Sequence, residues 1–208
     1  MSFLHTFNKN PYLGILRGIT FEHIPYIVKA SQNAELKLIE ITMNTPQAPE
    51  LIANLKQNST ELTIGAGTVC SEKDLKQALT AGAEFIVSPA FQENIAELCQ
   101  KQNIPYLPGA LTPTEVQHAY HHGATMVKVF PVGAMGGPAY IKELRGPFAH
   151  IPLLACGGVN ADNAKDYFAA GANAIAFGGS IFKNSLLNAE SWPEVSTKIR
   201  SLYQKSHS

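Results

Sequence analysis

The sequence predicts an α/β fold, a (β/α)8 TIM barrel built as a single domain over residues 1–208, and three observations carry the prediction. Short apolar runs of strand character recur eight times along the chain. Stretches of roughly ten residues with helical patterning lie between them. The alternation continues from one end to the other without a linker, a composition break or a low-complexity segment.

Residues 1–10 are expected to add an N-terminal helix ahead of the first strand, YLGIL at 12–16. Next come LKLIEIT at 36–42, LTIGAG at 62–67 and EFIVSP at 84–89. IPYLPG at 104–109, TMVKVFP at 125–131, PLLACGG at 152–158 and AIAFGG at 174–179 complete the eight. Residues 190–208 are expected to form a C-terminal helix and tail. Continuous apolar runs suit parallel strands buried on both faces, which helices must then cover. One such helix is predicted over 71–81, with Ser71 as N-cap and Asp74 three residues on. Another, over 160–170, opens at Asn160 and ends before Gly171. AGAEFIV, HGATMVKV and AGANAIAF repeat a glycine, an alanine and a strand. The repeat puts Gly82, Gly123 and Gly171 just past helix ends, where only glycine takes a positive φ at little cost. A doubly wound open sheet is the competing architecture, but no GxGxxG follows the first strand.

Composition narrows the function classes. The chain is 45% apolar and 15% charged, and 16 Lys and Arg balance 16 Asp and Glu. No basic field points to nucleic acid or to an acidic membrane surface, so the expected partner is a small molecule. Cys70, Cys99 and Cys156 form no CxxC or metal spacing, which suits reduced thiols in a cytosol. With no apolar stretch of signal-peptide or bilayer length, a soluble cytoplasmic protein is expected.

In a barrel of this kind the chemistry sits where strand C-termini meet the βα loops. Two charged residues stand out there. Lys128 lies within MVKVF, on one strand face with Met126 and Phe130, while Val127 and Val129 take the other. Burial disfavours the charged form of an amine, and a free amine attacks ketones to form a Schiff base. A lysine that snorkels to solvent is the plainer alternative. Lys29, Lys56, Lys76, Lys142 and Lys165 fall in solvent-facing helical patterns and compete poorly. Glu40 alternates with Leu38 and Thr42 against Ile39 and Ile41, which places a carboxylate on an inward face as a candidate general acid/base. Its plainer alternative is an ion pair with Lys128 or Arg17. Ion pairing alone is a poor reason to bury two charges, since apolar replacements often stabilise as well.

Anion readers flank this pair. ACGGVNADN places Gly157 and Gly158 after the seventh strand, and FGGSIF places Gly179 and Ser180 after the eighth. Barrels often hold phosphate in these two loops, on backbone N–H groups that glycine leaves approachable. Arg17, ending the first strand, suits bidentate recognition of a carboxylate or phosphate, although a surface salt bridge is the simpler role. Thr68 can donate to a substrate oxygen or cap the following helix. Pro89, at the end of the fourth strand, and Phe130 are expected to line the pocket, with Phe130 excluding water beside the lysine. His118 and His122 lie four apart on one helix without a third ligand, so no metal is expected.

Taken together, ILRGIT, LIEITMNTPQ, IGAGTV, FIVSPAF, PYLPGALTPTE, VKVFP and CGGVNADN resemble the KDPG/KHG aldolase family. These are class I aldolases acting on 2-keto-3-deoxy-6-phosphogluconate and 4-hydroxy-2-oxoglutarate, and the resemblance runs from about residue 11 to residue 183. It implies a trimeric (β/α)8 barrel that uses no cofactor and releases pyruvate, with glyceraldehyde 3-phosphate from the phosphorylated substrate. Lys128 corresponds to the Schiff-base lysine and Glu40 to the general acid/base. Thr68 would contact the pyruvyl moiety, and the Gly158 and Gly179–Ser180 loops the phosphate. Many gluconate-type members carry arginine where this chain has Asn44, so Arg17 is the candidate to supply the guanidinium. ILRGIT with the NTPQ stretch is also similar to the 6-phosphogalactonate aldolase branch, whose substrate differs in configuration at C4. Outside the aldolases, the same barrel suits a non-covalent phosphosugar isomerase or epimerase, or a phosphometabolite-binding protein.

Overall fold

A computed structural model describes residues 3–207, and Met1, Ser2 and Ser208 lie outside it. Parallel strands form one sheet in the order β5-β4-β3-β2-β1-β9-β8-β7-β6. They are β1 (Tyr12–Leu16), β2 (Leu38–Thr42), β3 (Thr63–Gly67), β4 (Ile86–Val87), β5 (Tyr106–Leu107), β6 (Gly109–Ala110), β7 (Val127–Val129), β8 (Leu153–Cys156) and β9 (Ala174–Phe177). The edges of this order, β5 and β6, are consecutive in sequence and separated only by Pro108. They are the fifth predicted strand divided in two. Its first half pairs with β4 and its second with β7, so the chain itself closes the ring. Proline has no N–H to give to a ladder, which is why the strand divides there.

Helices α1 (Phe3–Lys9), α2 (Ile24–Asn33), α3 (Ala48–Asn58), α4 (Glu72–Thr80), α5 (Glu93–Lys101), α6 (Pro113–His121), α7 (Pro138–Arg145), α8 (Ala164–Ala169) and α9 (Trp192–His207) accompany the sheet. Ser71 caps α4 as its sequence predicts, its Oγ accepting from the Asp74 N–H at 3.1 Å. Gly82, Gly123 and Gly171 take φ of 92°, 84° and 100° after their helices. One expectation is corrected. The helix predicted over 160–170 begins only at Ala164, because Asn160 and Asn163 spend their side chains on a turn at 160–163. No helix among the described residues is long and apolar enough to cross a membrane.

Strand alternation sorts the buried side chains into two cores. Facing the helices are Ile39, Ile41, Val127, Val129, Leu153, Ala155 and Ile175. Inside the barrel lie Leu13, Leu38, Val87, Leu107, Met126, Leu154 and Ala174, closed at the N-terminal end by Phe7 of α1 and by Phe85. Each Val, Leu, Ile, Met or Phe among them, fully buried, contributes about 1.5–3 kcal/mol. Above this apolar plug, one step further along the same inward faces, come Ile15, Glu40, Lys128, Cys156 and Ala176. The polar layer therefore has a rigid floor.

Candidate active site

A cavity of about 640 Å3 opens at the C-terminal ends of the strands. All ten residues singled out in the sequence line it: Arg17, Glu40, Thr68, Pro89, Lys128, Phe130, Gly157, Gly158, Gly179 and Ser180. Lys128 stands on β7 between Gly109 of β6 and Leu154 of β8, and only 7% of it is exposed. Its Nζ lies 5.2 Å from the centre of the Phe130 ring. Phe130 is itself 37% exposed, so it forms one wall beside the amine with part of its surface open to solvent. Lys29, Lys56, Lys76, Lys142 and Lys165, the competitors weighed in the sequence, fall in helices and are exposed.

Glu40 is more enclosed, at 1% exposed. Room for it comes from β3. A Cβ on Gly67 would fall 2.6 Å from the Glu40 carboxyl carbon, closer than real contacts allow. Gly65, two residues back on the same inward face, makes space in the same way for the Phe85 ring. The two glycines of IGAGT are thus the counterparts of two large inward neighbours, a relation visible only once the register is known. Burial pushes the Glu40 carboxyl above the usual carboxylate range, while the charges of Lys128 and then Arg17 pull it part of the way back.

Its Oε2 has no hydrogen-bond partner, and no ion pair among the described residues joins Glu40 to Lys128 or Arg17. The acid and the amine therefore share one cavity without neutralising each other by contact. An unmet buried carboxylate oxygen costs about 1–3 kcal/mol or more, which a purely structural role would not justify.

Arg17 is exposed at the rim and donates from Nη2 to the Thr68 Oγ1 at 3.4 Å. Thr68 itself takes the left-handed backbone conformation, φ 54°, where a β-branched residue is strained. Asn44 is exposed and lines none of the cavity, so among the described residues the guanidinium at this mouth comes from Arg17, directly after β1. Gly157 and Gly158 also have left-handed φ, 102° and 81°, and a Cβ on Gly157 would press on Pro131 at 3.2 Å. Gly179 has open space around it instead. The Ser180 hydroxyl donates to the Val159 carbonyl at 3.1 Å, which ties the last two loops together. What the loops offer a ligand is backbone: no N–H of Gly158, Val159, Gly179 or Ser180 donates to a described acceptor.

Among the lining residues that sequence reasoning did not assign to the site, two carry polar side chains. Cys156 lies one strand position before the glycine pair, with its thiol pushed up by burial. Asn160 lines the same loop. Both stand within the quoted ACGGVNADN motif, so inward alternation on the seventh strand would have found the cysteine. Among the described residues no three His, Cys, Asp or Glu side chains gather as metal ligands.

Comparisons with known proteins agree with this geometry. The family model described as KDPG and KHG aldolase matches residues 5–198. A 2-dehydro-3-deoxy-phosphogluconate aldolase of Haemophilus influenzae is 36% identical over 166 residues, 79% of this chain and 78% of that protein. A KHG/KDPG aldolase of Escherichia coli is 30% identical, over 82% of this chain and 79% of that protein. A solved structure described as native KDPGal superposes with a TM-score of 0.86 at 27% identity, covering 95% of this chain and 94% of that one.

Proposed function

Because the chain belongs to the KDPG and KHG aldolase family, we propose that it is a class I aldolase that cleaves 2-keto-3-deoxy-6-phosphogluconate to pyruvate and glyceraldehyde 3-phosphate. It is also proposed to cleave 4-hydroxy-2-oxoglutarate to pyruvate and glyoxylate. The observation that carries the reading is a buried amine and a buried, unpaired carboxyl facing one cavity. The gluconate name shared by relatives at 30% identity and above favours that epimer over the galactonate. A non-covalent isomerase or a binding barrel leaves Lys128 without a purpose.

In this reading the Lys128 amine attacks the C2 ketone, and loss of water gives an iminium ion. Glu40 takes the C4 hydroxyl proton, the C3–C4 bond breaks, and its electrons flow into the iminium to give an enamine. The aldehyde leaves. Glu40 returns the proton to C3, and water hydrolyses the iminium to free pyruvate and the amine. The iminium is the electron sink, so no cofactor enters. Arg17 and Thr68 hold the substrate carboxylate and pyruvyl oxygen, Pro89 and Phe130 wall the reacting carbons, and Gly157, Gly158, Gly179 and Ser180 present N–H groups to the phosphate.

The same reading includes a homotrimer in the cytoplasm, a finer point that rests on the family resemblance and on three cysteines in no disulfide or metal spacing. Light scattering on the purified protein tests the trimer. The function is tested by following pyruvate release from the gluconate substrate, its galactonate epimer and their unphosphorylated forms. Wild-type protein should cleave the phosphorylated gluconate fastest, and Lys128→Ala should cleave none. Undiminished cleavage by that variant would end the proposal.

A further inference from the structure

Backbone N–H groups attract an anion only if the carbonyls of the same loop point elsewhere. That condition is hard to meet at Gly157–Gly158. Two consecutive glycines in the left-handed region, φ 102° and 81°, have many alternative backbone states within reach. A flipped peptide would exchange a donor for a carbonyl oxygen at the cavity wall and repel the ligand.

Asn163, which does not line the cavity, meets the condition with both ends of its amide. Its Nδ2 donates to the Gly158 carbonyl at 2.9 Å, the shorter of two side-chain bonds there beside that of Asn160 Nδ2 at 3.4 Å, and its Oδ1 accepts the Asn160 N–H at 2.9 Å. The next carbonyl in the loop, that of Val159, is held by the Ser180 hydroxyl at 3.1 Å. Both loop carbonyls are thereby committed to protein donors, while the N–H groups of Gly158 and Val159 donate to no described acceptor.

We infer that Asn163 is a positioning residue for recognition of the substrate phosphate: it fixes the Gly158–Val159 peptide so that the Val159 N–H, rather than the Gly158 carbonyl, faces the anion. This rests on the phosphate assignment made above. Asn163 touches neither the substrate nor the reacting carbons, and its effect is confined to the phosphate end of the cavity.

The test compares Asn163→Ala and Asn163→Leu with wild type on 2-keto-3-deoxy-6-phosphogluconate and on its unphosphorylated form. Leucine keeps the branching and the heavy-atom count of the side chain while removing its hydrogen bonds, so it decides the matter if the alanine variant folds poorly. The expected result is a 10- to 100-fold rise in KM for the phosphorylated substrate, on the order of one or two charge-assisted hydrogen bonds lost. kcat should stay within about two-fold, as should turnover of the unphosphorylated compound. Inorganic phosphate, a competitive inhibitor of wild type under this reading, should weaken in parallel. Equal losses on both substrates would make Asn163 merely structural, and no loss on either would remove it from recognition altogether. If the wild-type enzyme ignored the phosphate and inorganic phosphate alike, the phosphate assignment would fall, and the inference with it.

Discussion

Gly67→Ala separates the acid/base role of Glu40 from the integrity of the barrel. The added methyl would stand 2.6 Å from the Glu40 carboxyl carbon and closer still to Oε1, against the 3.4 Å at which ordinary contact begins, so the carboxyl must retreat by about 0.8 Å at its carbon and further at that oxygen. Gly67 carries no positive φ, so alanine strains nothing else in the backbone. The displaced group is the end of a flexible side chain, which keeps the stability cost near the low end of overpacking, about 1 kcal/mol. Catalysis is less forgiving. A misplacement on the order of 1 Å in a proton-transferring group costs about 100-fold in rate. The assay is steady-state cleavage alongside trapping of pyruvate on Lys128 with borohydride, a step for which the acid at residue 40 is less critical. The expected outcome is a fall of about 100-fold in kcat with trapping preserved. Wild-type turnover would refute the placement of Glu40 at the reacting atoms, and equal loss of trapping would mean that the whole site had been deformed.

Other outcomes follow from the same geometry. Glu40 must be ionised to accept the C4 proton, and burial raises its carboxyl, so the acid limb of kcat/KM should have its midpoint above 4.5 and vanish from the residual rate of Glu40→Gln. Stability runs the opposite way. A raised folded-state value adds stability that is complete below the unfolded value and is lost as pH rises through the folded one. Denaturant titrations should therefore show Glu40→Gln gaining on wild type above pH 4.5, at up to about 1.4 kcal/mol per pH unit within that window. Arg17→Ala should raise KM about 10- to 100-fold with kcat largely kept, since among the described residues the guanidinium's hydrogen bond in the free protein is a long one to Thr68, and lysine should recover only part of the loss. Thermal melts should find Gly179→Ala within about 0.5 kcal/mol of wild type, because nothing lies within 4 Å of its Cβ. Gly109→Ala would drive a methyl to 2.9 Å from the Ala90 backbone nitrogen and harder still against the Pro89 carbonyl, and should cost about 1–3 kcal/mol or more.

Much of this site was legible before any coordinates, for physical reasons that particular residues illustrate. Lys128 and Glu40 are polar interruptions of buried strands, and strand periodicity alone assigns each a face: Met126 and Leu38 fall in the barrel interior, Val127 and Ile39 beneath the helices. Gly82 and Gly171 announced helix ends because only their backbone freedom fits there. What stayed hidden depends on contacts across strands or within turns. The division of the fifth strand at Pro108 follows from which neighbour each half meets, and the pairing of Gly67 with Glu40 follows from the register of β2 against β3. The late start of α8 reflects two asparagines turned inward on their own loop, where a local pattern suggested a longer helix.

The central claim is that residue 128 supplies the nucleophile that holds the keto acid. Incubation with pyruvate and borohydride, followed by peptide mass spectrometry, tests it most directly. The predicted result is one reduced adduct, located on Lys128, that is blocked by prior substrate and absent from Lys128→Ala. A protein that cleaves the substrate yet traps pyruvate nowhere, or on another lysine, would contradict it.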